Sequence, residues 1–401
     1  MTNSRYFLQF PARPVYDGGP HLRSIMTKLR ILVVALVCIP QFTAIPAVAA
    51  DCFVYFGTQS VAPGAGISLA HFDTDTGALS APRLILPADG PSFFALSPDA
   101  GHLYSTNYTG AGGVSSYRID PATGGLTLLN HLPGGDFGTS HISLDNTGRF
   151  ALAANVDHGH VAAFPILPDG SLGAHIAWDL HTGHSINPVR QTVTYPHCIM
   201  TDPTNRFALV PDLGLDKLFV YRFDASAGTL TAGDPPFAAI KPGSGPRHVR
   251  FHPNGKWVYL IDEMGGTVIG FDWNADAGTL SQFQSISTLP DDFTGENTSA
   301  EIQIHPNGRF LYGSNRGHDS IAVFAIDPSD GKLTLIESAP TPGKNPRDFA
   351  FDPTGRWILC TNQAGNSAVV FKVDETTGKL TPLGPPIDVP APCGIQFVPA
   401  H

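Results

Sequence analysis

The chain has 401 residues, 42% of them hydrophobic and only 14% charged, with a formal net charge of −10. That balance excludes a disordered chain, which needs few apolar residues and much charge. The acidity argues against a surface built to hold a phosphate backbone, so nucleic acid is not an expected partner. Gly 42 and Pro 36 give the turn-rich composition of a β protein with many short strands.

The first segment in chain order is unlike the rest. From Met26 it reads "MTKLRILVVALVCIPQFTAIPAVAADC", with Lys28 and Arg30 ahead of an apolar run and the small-residue stretch "AVAA" at 47–50. This order predicts a secretory signal peptide over 26–50, cleaved near Ala49 or Ala50; the apolar run is too short to span a bilayer. Residues 1–25 then read as an upstream extension, residues 51–401 as the exported domain, and the periplasm or the medium as its destination. Loss of residues 1–50 removes Arg5, Arg13, Arg23, Lys28, Arg30 and Asp17, five basic groups against one acidic, and takes the net charge from −10 to −14. Cys52, Cys198, Cys360 and Cys393 remain, too few and too scattered for a disulfide framework or a zinc site, although one bridge is possible. No metal or cofactor motif and no further membrane span is expected.

Six near-copies follow. They are "SPDAGHLYSTN" (97–107), "LDNTGRFALAAN" (144–155), "TDPTNRFALVPD" (201–212), "FHPNGKWVYLID" (251–262), "IHPNGRFLYGSN" (304–315) and "FDPTGRWILCTN" (351–362). Their turn residues Gly101, Gly148, Asn205, Gly255, Gly308 and Gly355 are 47, 57, 50, 53 and 47 apart. Each copy predicts an inner strand, the turn, and three further strands, which is the signature of a propeller blade. "CFVYFGTQ" (52–59), "GISLAHFD" (66–73) and "GALSAPRLI" (77–85) supply three strands of a seventh blade, and "GIQFVP" (394–399) its inner strand. The expected fold is all-β: a seven-bladed β-propeller of four-stranded antiparallel blades, closed by both termini, which leaves no exposed sheet edge between blades.

The repeat separates scaffold from site. Arg149, Arg206, Lys256, Arg309 and Arg356 recur after the turn, so they are expected to be architecture. Asn155, Asp212, Asp262, Asn315 and Asn362 recur seven residues past it, with Asn107 one short, and are expected to cap turns; a ring of calcium ligands is the sharper alternative. The deviants are chargeable. His197, Arg247 and Arg347 begin inner strands where other blades carry Ser, Ala or Cys, and Glu263 and Arg316 follow the capping position where other blades are neutral. These five are expected to converge at one mouth of the central channel. Their excess positive charge suits an anion; a structural ion-pair network is the alternative. His141, His248 and Glu301 lie one residue later, and strand alternation predicts that they point away from the axis, which makes them second-tier candidates.

"GPRHVRFHPNGKWVYLIDE" (245–263), "YPHCIMTDP" (195–203), "HPNGRFLYGSNRGHDSIAVF" (305–324) and "PRDFAFDPTGRW" (346–357) resemble the lactonase family of seven-bladed propellers, which includes propeller-type 6-phosphogluconolactonases and carboxymuconate lactonizing enzymes. The resemblance implies His197, Arg247, Glu263 and Arg316 as catalytic residues; the repeat positions add Arg347, His248 and His141 as substrate-binding candidates. It implies hydrolysis of a sugar-acid-type lactone: His197 or Glu263 would activate water, and Arg247 and Arg316 would stabilise the oxyanion or a substrate carboxylate or phosphate. The partner is thus a small-molecule lactone or carboxylate. A lactonizing cycloisomerase, a metal-dependent propeller lactonase and a non-catalytic exported binding platform are the alternatives.

Overall fold

In the computed structural model, residues 51–60, 65–110, 112–133 and 138–400 are described, and the signal-peptide expectation for 26–50 lies outside them. Seven antiparallel sheets form the ring. Blade 1 runs, from inner to outer strand, Phe94–Leu96, His102–Thr106, Val114–Ile119 and Leu126–Leu132; blade 2 runs Thr139–Leu144, Phe150–Asn155, His160–Pro165 and Ala177–Leu180. Blade 3 comprises Met200–Thr201, Phe207–Asp212, Lys217–Asp224 and Thr229–Ala239, and blade 4 Pro246–Phe251, Trp257–Asp262, Thr267–Asn274 and Thr279–Ser287. Blade 5 comprises Thr298–Ile304, Phe310–Arg316, Ser320–Ile326 and Leu333–Pro340. In blade 6, Pro346–Phe351, Trp357–Asn362 and Ser367–Val373 are followed by an outer strand broken into Leu380–Pro382 and Ile387–Asp388.

Blade 7 is the composite that the sequence predicts. Pro392–Pro399 pairs with Asp51–Thr58, which leads to Gly66–Asp73 and Arg83–Pro87, and the closing register runs from Cys52↔Pro399 to Gly57↔Gly394.

The middle strands are buried on both faces, as in Phe207–Asp212 and Trp257–Asp262, because each blade packs between two others. That is why segments such as "WILCTN" run apolar without clean alternation, whereas outer strands such as Leu126–Leu132 are half exposed. Blades 6 and 7 share Val54, Phe56, Phe72, Trp357, Leu359 and Phe397 in one cluster; each such side chain contributes about 1.5–3 kcal/mol when fully buried.

Most of the recurring polar residues are scaffold, although Asn362 caps no turn, since neither of its side-chain polar atoms makes a hydrogen bond within the described residues. Nη2 of Arg149, Arg206, Arg309 and Arg356 donates to the carbonyls of Ala225, Ala275, Glu375 and Thr74, in each case on the next blade. Tyr55, Tyr104, Tyr259 and Tyr312 do the same with their hydroxyls, to the carbonyls of Gly124, Gly170, Gly331 and Gly378. Asn155 Oδ1 accepts from the amides of Asp157 and His158, and Asp212 Oδ1 from those of Tyr195 and Leu215, which are turn caps. One turn differs from expectation: in blade 1 the left-handed residue is Ala100 (φ 56), not Gly101. Counted from Ala100, Asn107 stands seven residues on like its counterparts.

Asp262 is a strained member of that ring. Its Oδ1 has no hydrogen-bond partner and Oδ2 accepts only from Thr267 Oγ1. Burial pushes its carboxyl up to about 7, with Thr267 opposing and Asp216 adding to the rise. A carboxyl raised above its unfolded value costs stability as pH rises towards the folded value, because the unfolded chain ionises first. Asp262→Asn should therefore raise the melting temperature at pH 8 and leave it nearly unchanged near pH 4, checked by thermal melts at both.

Candidate active site

At the start of the inner strands the pairing slips by one residue: between Thr139 and His141, Pro246 and His248, Ser299 and Ile302, and Pro346 and Asp348. The extra residue is a β-bulge, which breaks strict alternation. The expectation that His248 and Glu301 point away from the axis is thereby overturned, since two successive side chains of one strand now face it. Arg247 and His248 both line a throat of ≈ 10 Å³ on the axis, with His197, Glu301, Arg347 and Asp348, a space of about one water.

Above the throat, Glu263 holds three guanidiniums. Its Oε1 lies 2.6 Å from Arg190 Nη2, and its Oε2 lies 2.9 Å from Arg316 Nη2 and 3.3 Å from Arg247 Nε. Burial alone would push this carboxyl up, but Arg316, Arg247 and Arg190 together hold it at about 2. Glu263 is thus a fixed anion and a very weak base. The mouth carries Arg190, Arg247, Arg316 and Arg347 against this single carboxylate, an excess of positive charge in a chain that is otherwise acidic. Arg247 is almost fully buried; its Nη1 donates to the Ala300 carbonyl at 2.6 Å, while its Nε is without a directed hydrogen bond. Such an orphaned donor is costly unless something else takes it up.

Below, the imidazoles form a chain. His197 Nδ1 is 3.2 Å from His248 Nε2, and His248 Nδ1 is 2.6 Å from Glu301 Oε2. Glu301 Oε1 accepts from Arg250 Nη2 at 2.6 Å and from Gln303 Nε2 at 2.9 Å. The order of donors and acceptors assigns the tautomers: His248 donates its Nδ1–H to the carboxylate, so its Nε2 accepts from His197 Nδ1 and from Arg247 Nη1 at 3.3 Å, and His197 Nε2 carries a lone pair. Burial, followed by the charge of Arg247, holds His197 well below its ordinary value of 6.5, so it stays neutral.

Of the seven candidates, His197, Arg247, Glu263, Arg316, Arg347 and His248 share this axis. His141 is buried beside them, but its Nδ1 accepts from the Ile199 amide and its Nε2 faces Cys198 Sγ, so both ring nitrogens are engaged within the protein. Sequence reasoning misses Arg190. It sits on the segment between Leu180 and Met200, rests its guanidinium 4.8 Å from the Tyr195 ring, and is 38% exposed. The only trace of it in the sequence is the longest spacing, the 57 residues between Gly148 and Asn205. Asp348 is missed as well, because without the bulge it would face outwards. All four described cysteines are buried and free. No helix of the described residues is long and apolar enough to cross a membrane.

A ring of seven blades with a polar, arginine-rich axis defines a propeller of the small-ligand type. The 7-bladed beta-propeller lactonase family matches residues 53–397, and the chain belongs to it; with the relatives that follow, this makes it a lactone hydrolase. It is 38% identical over 300 residues to a Bacillus subtilis protein named 6-phosphogluconolactonase, covering 74% of this chain and 84% of that one. A Formosa agariphila protein of the same name is 33% identical over 72% of this chain and 83% of its own. Among solved structures, the periplasmic gluconolactonase of Pseudomonas aeruginosa superposes with a TM-score of 0.82 at 31% identity, covering 88% of this chain and all 100% of that one.

Proposed function

We propose that the protein hydrolyses the lactone of a sugar acid, with the reaction seated at the arginine-lined mouth. The observation that carries this reading is the orphaned Nε of buried Arg247 beside an excess of guanidinium charge. That Nε lies 3.3 Å from Glu263 Oε2 without a directed hydrogen bond; an oxyanion formed by water attack on the lactone carbonyl would give it one, so the interaction strengthens in the transition state. Arg316 and Arg347 hold the substrate's anionic or oxygen-rich end, and Glu263 fixes the guanidiniums. His197 takes the proton of the attacking water at Nε2 and returns it to the leaving alkoxide.

The basic, apolar and small-residue order at 26–50 and the likeness to a periplasmic gluconolactonase support an exported enzyme, which would meet unphosphorylated sugar lactones. Purified protein assayed on glucono-δ-lactone, its 6-phosphate and simple aliphatic lactones should turn over the first two faster than the last. Because His197 is neutral far below 6.5, kcat/KM should show no inflection near that pH. An absence of turnover on all three, or equal rates on all three, would sink the assignment.

A further inference from the structure

Hydrolysis of a lactone above the pKa of its product acid releases a proton. The ring C–O bond breaks, the water oxygen stays on the carbonyl carbon, and the alkoxide takes its proton from His197. The new carboxylic acid then gives its own proton back to His197. Net, lactone and water yield hydroxy-carboxylate and one proton, and that proton must leave before the next cycle. This proton balance rests on the function proposed above.

The mouth is a poor exit. An imidazolium at His197 is faced by Arg247 and Arg347, which disfavour it, and the way out passes Arg190 and Arg316. The path downwards is acidic. His197 Nδ1 meets His248 Nε2 at 3.2 Å, and His248 Nδ1 meets Glu301 Oε2 at 2.6 Å. Asp348 lines the same throat and also a second cavity of ≈ 470 Å³ at the other end of the inner strands, with Phe93, Arg250, Gln303 and Gln396. Asp348 Oδ2 accepts from the Ile395 amide, so its other oxygen is the one that can carry a proton. Burial, and after it the charge of Glu301, raises this carboxyl well above the usual range, while Arg250 and Arg247 oppose. Glu301 itself receives three donors, and burial raises its carboxyl above the usual range, with Arg250 opposing.

We propose that His197, His248, Glu301 and Asp348 form a proton relay that runs down the propeller axis and empties into the cavity on the far face. His197 passes its Nδ1 proton to His248 Nε2, His248 passes its Nδ1 proton to Glu301, and Asp348 releases a proton to the cavity and is refilled from Glu301 across the throat that both line; each imidazole then turns to restore its starting tautomer.

The test is turnover of glucono-δ-lactone by the full chain in about 1 mM buffer and again with added imidazole, a small diffusible proton carrier. Asp348→Asn keeps the shape and the hydrogen bond from Ile395. It should lower kcat about 10²-fold in dilute buffer, leave KM unchanged, and recover with imidazole. Glu301→Gln should behave alike, and the melting temperature of each variant shows whether it folds. Wild-type kcat for Asp348→Asn in dilute buffer, or a loss that imidazole does not restore, would overturn the relay. His197→Ala separates the two readings. If it retains full turnover, the base assignment fails; if it is inactive in every buffer while Asp348→Asn is unimpaired, only the relay fails.

Discussion

Arg247→Ala should lower kcat for lactone hydrolysis by about 10²–10³, the cost of one preorganised oxyanion contact, while the protein still melts cooperatively. The geometry explains why activity and stability part company at this residue. Glu263 keeps Arg190 at 2.6 Å and Arg316 at 2.9 Å, so its charge is not stranded when Arg247 is cut away. What folding loses is the donor to the Ala300 carbonyl and to His248 Nε2; the former is worth about 1–3 kcal/mol if that oxygen stays dry, and His248 Nε2 keeps His197. Glu263→Gln inverts the pattern. It leaves Arg190, Arg247 and Arg316 facing one another without a counter-charge, and should cost about 3–5 kcal/mol of stability. Kinetics and thermal melts on the two variants check both halves. Full activity in Arg247→Ala would mean that this guanidinium does not meet the oxyanion. A Glu263→Gln protein as stable as the parent would mean that the carboxylate does not hold the three arginines in place.

The second large effect concerns closure. Truncation after Ala391 deletes Pro392–Pro399, the inner strand of blade 7, and with it the register Cys52↔Pro399 to Gly57↔Gly394. Ile395 and Phe397 are lost from the cluster shared with blade 6, and Val398 from the cluster shared with blade 1. At about 1.5–3 kcal/mol per side chain, those three alone approach the whole stability of an ordinary domain, about 5–15 kcal/mol. Two strand edges would also lie open to other chains. The truncated protein should be insoluble or lack a cooperative melt; a soluble product with the parent melting temperature would mean that the ring does not depend on this strand.

The ring is legible because it is written seven times. Turn residues at near-constant spacing outline the blades, and the same repetition exposes His197, Arg247, Glu263, Arg316 and Arg347 as deviants. Two things are not legible. The bulge leaves no periodic trace, so alternation sends His248 and Glu301 to the wrong face and hides Asp348. Arg190 lies on a segment that has no counterpart in the other blades, so comparison between copies has nothing to compare. Even the apparent shortness of the first copy comes from assigning the turn to a glycine, when Ala100 adopts that conformation (φ 56). The chemistry of Glu263 is obscured for a similar reason: with Arg190 unseen, the carboxylate looks free enough to act as a base.

The slipped pairing at the head of the inner strands has a consequence for how such a ring can change over time. An unslipped strand would offer the axis one side chain at each level; the slip offers two neighbours, as with Arg247 and His248 or Arg347 and Asp348. Neither neighbour is needed for the tyrosine and arginine latches, which sit farther out along the blades. Each such blade thus contributes a pair of adjacent letters that lie apart from the outer latches, although Arg247, His248 and Asp348 also bind the neighbouring blade. One member of the pair can face the substrate while the other feeds the polar line beneath it, so a new lactone could be accommodated at the mouth with the axial machinery left as it stands.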